Sequence, residues 1–86
     1  MSQPTIVVTP DLRQAARWVL WFFNGSNEGE RATRPGGFYE QLIVTMCKAD
    51  PTNLSRLYLA FPEVAQCVSM AKYAVDGLER LREWAA

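Results

Sequence analysis

At 86 residues, this chain is long enough for one domain with a single modest hydrophobic core. Apolar residues make up 49% of it, which excludes intrinsic disorder, and its nine basic residues are balanced by nine acidic ones. That balance argues against general nucleic-acid binding, because phosphate contacts require a basic excess. The absence of histidine removes the commonest general base, and two cysteines alone are too few ligands for a closed zinc site.

The first elements in chain order are a short tail and a helix. Residues 1–8 are predicted to be extended, because three β-branched residues lie at their end. Helix one is predicted from Pro10 to about Phe23, since Thr9 is a good N-cap and Gly25 favours a helix end. Its apolar residues recur at helical spacing and predict this core face: Leu12, Ala15, Ala16, Val19, Leu20 and Phe23.

Residues 24–37 are polar and rich in glycine, and they form a longer connection than adjacent helices usually need. The sequence predicts a mobile loop there. Helix two is predicted from about Gly37 to Ala49. Its apolar face is predicted to consist of Phe38, Tyr39, Leu42, Ile43 and Met46.

Two prolines divide the second half of the chain. Asp50 is a good cap for a helix that starts at Pro51, and Pro62 disfavours helical geometry at Phe61 and starts helix four. Gly77 predicts either a kink or a short separate fifth helix at the C-terminus. The predicted core positions of this half are Leu54, Leu57, Tyr58, Phe61, Val64, Cys67, Val68, Ala71, Ala74, Val75 and Leu78. The expected fold of residues 1–86 is therefore a single all-α domain, a compact bundle of four main helices with a long loop after helix one.

The sequence contains no pattern that indicates catalysis, a cofactor or a metal site. The acidic residues lie mainly at helix starts or on solvated faces, and neither Cys47 nor Cys67 has an evident activating base. Both cysteines lie among apolar neighbours, which favours buried, reduced thiols. No signal-peptide pattern and no apolar run long enough to cross a bilayer is visible, so we expect a cytoplasmic protein without a membrane partner. Because the sequence shows no catalytic pattern, we also expect the protein to be non-enzymatic.

The aromatic stretch of helix one provides the candidate partner-binding residues. Trp18, Trp21 and Phe22 lie outside the predicted core stripe, and tryptophans of this kind are frequent anchors of protein interfaces. The alternative is that the N-terminal tail, the long loop or Trp84 covers them. The first interpretation predicts binding of a partner protein or of a second copy of the chain.

Two arginines and a helical corner suggest further possibilities. Arg13 and Arg17 lie one turn apart on helix one, where they either contact phosphates or an acidic partner or form an ordinary solvated face. The tight corner between helices three and four is also compatible with a helix-turn-helix, although Lys72 is the only basic residue of its second helix. A small DNA-binding regulator and a self-assembling structural or virion-assembly component are therefore the alternative functions.

The segments 36–43, 49–57, 60–64 and 77–81 together resemble small uncharacterised helical proteins encoded by phages of actinobacteria. The resemblance extends from Gly36 to Arg82 and leaves out helix one. It implies a phage accessory protein in the host cytoplasm that binds a host or phage protein. It implies no catalytic residue.

Overall fold

The structure, a computed structural model, describes residues 7–86, and all regular secondary structure in this range is helical. The α-helices are α1 (Pro10–Asn24), α2 (Gly37–Lys48), α3 (Pro51–Ala60), α4 (Pro62–Tyr73) and α5 (Gly77–Ala85). The predicted all-α class is confirmed, and of the two outcomes predicted at Gly77 the structure shows the separate fifth helix. The prediction of an extended tail falls mainly on residues 1–6, which lie outside the described residues.

The capping residues that the sequence indicated do start their helices. The hydroxyl oxygen of Thr9 accepts a hydrogen bond from the backbone N–H of Leu12 at 3.1 Å, and Pro10 occupies the first turn of α1. Asp50 accepts from the backbone N–H of Asn53 at 2.7 Å and starts α3 in the same way. Each cap satisfies one backbone donor that a helix start otherwise leaves unpaired.

The core forms around α1, which contacts α2, α4 and α5. The two alanines in the middle of α1, Ala15 and Ala16, are fully buried and allow neighbouring helices to approach closely. The buried apolar residues of the core are Leu12, Ala15, Ala16, Val19, Leu20, Ile43, Met46, Leu54, Val64, Ala65, Cys67, Val68, Leu81, Trp84 and Ala85. Trp84 therefore belongs to the core.

Four residues that the sequence assigned to the core are exposed instead: Phe23, Phe38, Tyr58 and Val75. Phe23 lies on the correct face of α1 but next to its C-terminal end. Periodicity identifies the face of a helix, but it does not show how far the neighbouring helices extend along that face. Val75 is exposed because α4 already ends at Tyr73, so that helical spacing no longer applies to it.

The break between α4 and α5 allows the two helices to meet at very short range. Ala74 is extended, with φ −86° and ψ 138°, and α5 begins three residues later at Gly77. Gly77 is buried, and a Cβ atom there would overlap the carbonyl oxygen of Met70 and lie 2.7 Å from its carbonyl carbon. Only glycine fits this contact without moving the backbone.

The connection after α1 contains two short 3₁₀ turns within Gly25–Arg31, separated at Gly29, whose φ of 68° favours glycine. Glu28, whose side chain is 7% exposed, accepts two hydrogen bonds from the guanidinium of Arg82 on α5, both at 2.8 Å. It also accepts one from the side-chain amide of Asn24 at 2.7 Å. The mobility of residues 24–37 stays a prediction, while Glu28 attaches the first half of this connection to α5.

We expect replacement of Glu28 by glutamine to lower the free energy of unfolding at pH 7 by about 1–2 kcal/mol. This value is reduced for solvent screening, because the Arg82 side chain is 34% exposed. The hydrogen bond from Arg82 lowers the pKa of Glu28 from 4.5 to about 2. Because this pKa is depressed in the folded state, the stabilisation is complete above about pH 4.5 and is lost as the pH falls from 4.5 towards 2.

Urea unfolding of wild type and Glu28→Gln over a pH series measures this difference. Glu30→Gln is the matched control, since it removes the same charge from an exposed position in the same segment. A difference in unfolding free energy between wild type and Glu28→Gln that is as large at pH 2.5 as at pH 7 would show that the ionised carboxylate of Glu28 is not the source of the stabilisation.

Candidate partner-binding site

Four aromatic rings from three parts of the chain form one continuous group, here called the aromatic cluster: Trp18, Phe38, Tyr39 and Phe61. The ring centres of Trp18 and Tyr39 lie 4.2 Å apart, with the planes tilted by 31°. Phe38 contacts Tyr39 edge to face at 5.0 Å and lies 5.9 Å from Phe61. Tyr39 and Phe61 are 6.4 Å apart and nearly perpendicular, at 85°. These separations are typical of favourable aromatic pairs.

Local sequence explains why these rings meet. Phe61 is the single residue between α3 and α4, held out of helical geometry at φ −134° and ψ 70° because Pro62 follows it. Phe38 and Tyr39 lie in the first turn of α2, directly after Gly37, the first residue of that helix. The contact of α1 with α2 then brings Trp18 against Tyr39.

The cluster borders a cleft of about 250 Å³, with walls that include Trp18, Tyr39 and Phe61. Asp11 and Glu63, in the first turns of α1 and α4, also line it. No lysine or arginine is among the nine lining residues. Within residues 7–86, neither carboxylate has an ion-pair or hydrogen-bond partner. The cleft is therefore aromatic and carries negative charge without a cation.

The structure separates the three predicted anchors of α1. Trp18 is half-buried and belongs to the aromatic cluster. Trp21 is half-buried as well, with the guanidinium carbon of Arg34 at 5.3 Å from the centre of its ring. Phe22 packs against the core. Part of the long connection thus covers Trp21, which is one of the alternatives that the sequence left open.

The two arginines of α1 have different environments. Arg13 is exposed, whereas Arg17 is half-buried, and its Nε donates a hydrogen bond to the carbonyl oxygen of Ala85 at 3.0 Å. Arg17 thereby satisfies a carbonyl at the C-terminal end of α5, which helices leave without an internal partner. The structure gives Arg17 a role in holding α1 to α5, so it is not part of a freely solvated arginine pair.

A second apolar surface lies on α3 and α4. Leu59 is 86% exposed and Tyr73 is 59% exposed. Two adjoining grooves of about 300 and 380 Å³ share Tyr58, Ser69 and Tyr73. Lys72, the only basic residue of α4, donates a hydrogen bond to the carbonyl oxygen of Cys47 at 2.8 Å.

The two thiols have environments that disfavour nucleophilic chemistry. Burial raises the pKa of Cys67 to about 12, with a further contribution from the negative charge of Glu63. Burial also raises the pKa of Cys47. Thiolates are the reactive form, so these raised pKa values disfavour thiol chemistry near neutral pH. In the part of the chain that the structure describes, no three metal-binding side chains lie together. Across that same part, no helix is long and apolar enough to cross a membrane.

The sequence did not single out Phe38, Tyr39 and Phe61 as site residues, because each was assigned to the core. One signal was available for Phe38. At about 100° per residue, it lies roughly 140° around α2 from the buried Ile43, whereas Tyr39 lies only about 40° away. Phe38 therefore lies at the margin of the core-facing stripe, where an exposed ring is expected.

Comparison of the chain with protein-family models, with curated proteins and with solved structures gives no match.

Proposed function

We propose that this is a non-enzymatic interaction protein that binds a partner protein through the aromatic cluster. The observation that carries the proposal is the exposure of Phe38, which is 63% accessible although its ring contacts both Tyr39 and Phe61. A ring that is held by its neighbours loses little conformational freedom when a partner covers it. Large aromatic side chains of this kind supply much of the binding energy at protein interfaces.

The proposed surface retains Trp18 and places its centre at Phe38, rather than at Trp21 and Phe22. Arg34 already occupies one face of the Trp21 ring. Trp18 and Phe22 both pack against the core, but of these two only Trp18 lines the cleft. Arg13 is exposed on the same helix as Trp18, but it lies about 140° around α1 from Trp18 and does not line the cleft. Arg17 contributes through the position of α1, because its guanidinium is bound to α5.

The proposal of a non-enzymatic role is supported by the chemistry of the available side chains. The sequence has no histidine, and burial keeps the pKa of Cys67 far above neutral pH. The carboxylates of Asp11 and Glu63 lie in first helical turns, where a negative charge interacts favourably with the helix dipole. Their placement requires no catalytic explanation.

We expect Phe38→Ala to weaken partner binding by about 30-fold, which corresponds to about 2 kcal/mol for an anchor ring. The stability of the fold should change little, because most of the Phe38 ring is already in contact with solvent. The measurement is capture of proteins by the tagged chain from a lysate of the cells in which it occurs, followed by titration of the retained protein.

Tyr73→Ala is the matched control, since Tyr73 is an aromatic residue of similar exposure, 59%, on α4. Loss of binding with Phe38→Ala and retention with Tyr73→Ala supports the proposal. Equal affinity of wild type and Phe38→Ala would overturn it. Retained nucleic acid whose binding weakens steeply with salt would instead indicate the DNA-binding alternative.

Self-association is the second candidate function, and the exposed apolar surface of α3 and α4 favours it. Leu59 and Tyr73 are largely exposed there, and the chain has no net charge to oppose contact between copies. In the same capture experiment, this candidate predicts retention of further copies of the chain, with loss in Tyr73→Ala and not in Phe38→Ala.

The origin of the protein in a phage of actinobacteria is likewise a proposal. The resemblance from Gly36 to Arg82 includes Phe38, Tyr39 and Phe61, although it leaves out Trp18. Under this proposal, the partner is a host or phage protein in the cytoplasm of the host cell.

A further inference from the structure

We propose that the cleft beside the aromatic cluster binds an arginine side chain of the partner protein. This inference rests on the proposed function, and it adds the chemistry of the group that the partner supplies. Its three supporting observations are the aromatic walls of the cleft, its unneutralised carboxylates, and a similar arginine site elsewhere in the same chain.

The walls of the cleft suit a flat cation. Three aromatic side chains border the cleft: Trp18 and Tyr39, whose ring centres lie 4.2 Å apart, and Phe61, which is nearly perpendicular to Tyr39. A guanidinium lies favourably on the face of a tryptophan or tyrosine, because the negative face of the ring attracts the cation. Arginine can also stack on such a ring through its own planar group, whereas the ammonium of lysine is a compact point charge.

The charge of the cleft is complementary to arginine. Asp11 and Glu63 contribute two carboxylates, and none of the lining residues is a lysine or an arginine. In the described residues, neither carboxylate is paired with another side chain. A guanidinium presents several donors in a rigid plane, and these can satisfy a carboxylate while the plane lies on a ring.

The same chain already binds one of its own arginines in this way. The guanidinium carbon of Arg34 lies 5.3 Å from the centre of the Trp21 ring, and its Nε donates to the carboxylate of Glu40 at 3.0 Å. Trp21 with Glu40 thus combines one aromatic ring and one carboxylate around a guanidinium. The cleft offers the same two kinds of group, and the guanidinium is the component that it lacks.

The size of the cleft also favours a single side chain. Its volume of about 250 Å³ is below the roughly 300–1,000 Å³ of pockets for drug-sized ligands. An extended side chain that enters from a partner surface requires less room than such a ligand.

Titration of the full chain with arginine blocked at both backbone ends tests the inference, with the indole N–H resonance of Trp18 as the readout. We expect a saturable shift with a dissociation constant on the order of millimolar. Citrulline blocked in the same way has the same shape without the charge, and it should bind at least tenfold more weakly. Trp18→Phe assigns the resonance.

The combined variant Asp11→Asn with Glu63→Gln should weaken arginine binding at least tenfold. The combined variant Glu79→Gln with Glu83→Gln is the matched control, because it removes two exposed carboxylates that do not line the cleft. Circular dichroism of both variants establishes that they are folded. If the Asp11→Asn, Glu63→Gln variant is unfolded, the comparison of blocked arginine with blocked citrulline, both bound to the wild-type protein, still tests whether the cleft recognises the charge of the guanidinium.

Failure of this inference can be distinguished from failure of the proposed function. Equal binding of blocked arginine and blocked citrulline, no saturable shift, or undiminished arginine binding without the two carboxylates would overturn the arginine site. Partner binding that depends on Phe38 would then still support the proposed function. Arginine binding without any effect of Phe38→Ala on partner capture would overturn the proposed function and leave the cleft as an arginine site.

Discussion

Replacing Gly77 with alanine is expected to destabilise the protein by about 3 kcal/mol or more, which is at the upper end of the cost of overpacking a core. The added methyl group would overlap the carbonyl oxygen of Met70 and lie 2.7 Å from the carbonyl carbon. Both are backbone atoms, so no side chain can rotate away to make room. Either α5 shifts away from α4, or the C-terminal turn of α4 unwinds.

Urea unfolding monitored by circular dichroism measures this effect, with Gly37→Ala as the control. Gly37 is also the first residue of an α-helix, but a Cβ atom there would meet nothing within 4 Å. We expect Gly37→Ala to be neutral or to stabilise the protein by up to about 1 kcal/mol, because alanine has the higher helix propensity. Similar stabilities of the two variants would show that the close contact between Gly77 and Met70 is not present in solution.

Gly77 illustrates how far the sequence predicts the fold. A glycine in a helical pattern indicates an interruption, and α4 and α5 are indeed separate helices. The sequence could not show that the interruption brings α5 against the backbone of α4, since that contact depends on the direction in which the chain leaves Tyr73. The helix starts at Pro10, Pro51 and Pro62 were easier to predict, because caps and first-turn prolines act within a few residues.

The residues of the candidate site are harder to predict from the sequence than the helix starts, because most of their contacts join distant segments of the chain. Trp18 was identified because it departs from the core stripe of its own helix, which is a local property. Its contact with Tyr39 and the approach of Phe61 join segments about 20 residues apart, and no local periodicity encodes them. Similarly, the covering of Trp21 depends on Arg34, in a connection whose path is determined by two 3₁₀ turns.

The C-terminal helix contributes to the site indirectly. α5 packs along α1, Arg17 binds its last turn, and Arg82 holds Glu28 of the connection that leads to Arg34. None of these α5 residues lines the cleft. Their effect is to fix α1 and the connection, so that Trp18 and Arg34 have defined positions on the surface.

Truncation of Trp84 to alanine is expected to produce the other large effect, a loss of about 3–5 kcal/mol. The side chain is 4% exposed in the core, where α5 packs on α1, and its removal leaves a cavity that the surrounding helices cannot fill completely. A chain of 86 residues has a total stability of roughly 4–13 kcal/mol. We therefore expect a melting temperature lower by about 15 °C or more, measured by thermal unfolding under circular dichroism.

Tyr73→Ala is the matched comparison, since it removes an aromatic side chain that is 59% exposed and should cost less than about 1 kcal/mol. A loss of similar size in both variants would contradict the burial of Trp84.

The variant Trp84→Ala also separates an effect on stability from an effect on binding. Because Trp84 does not line the cleft, the folded fraction of Trp84→Ala should bind blocked arginine as wild type does. Phe38→Ala should show the opposite pattern, with a stable fold and weak partner binding, because its ring contributes mainly to the surface.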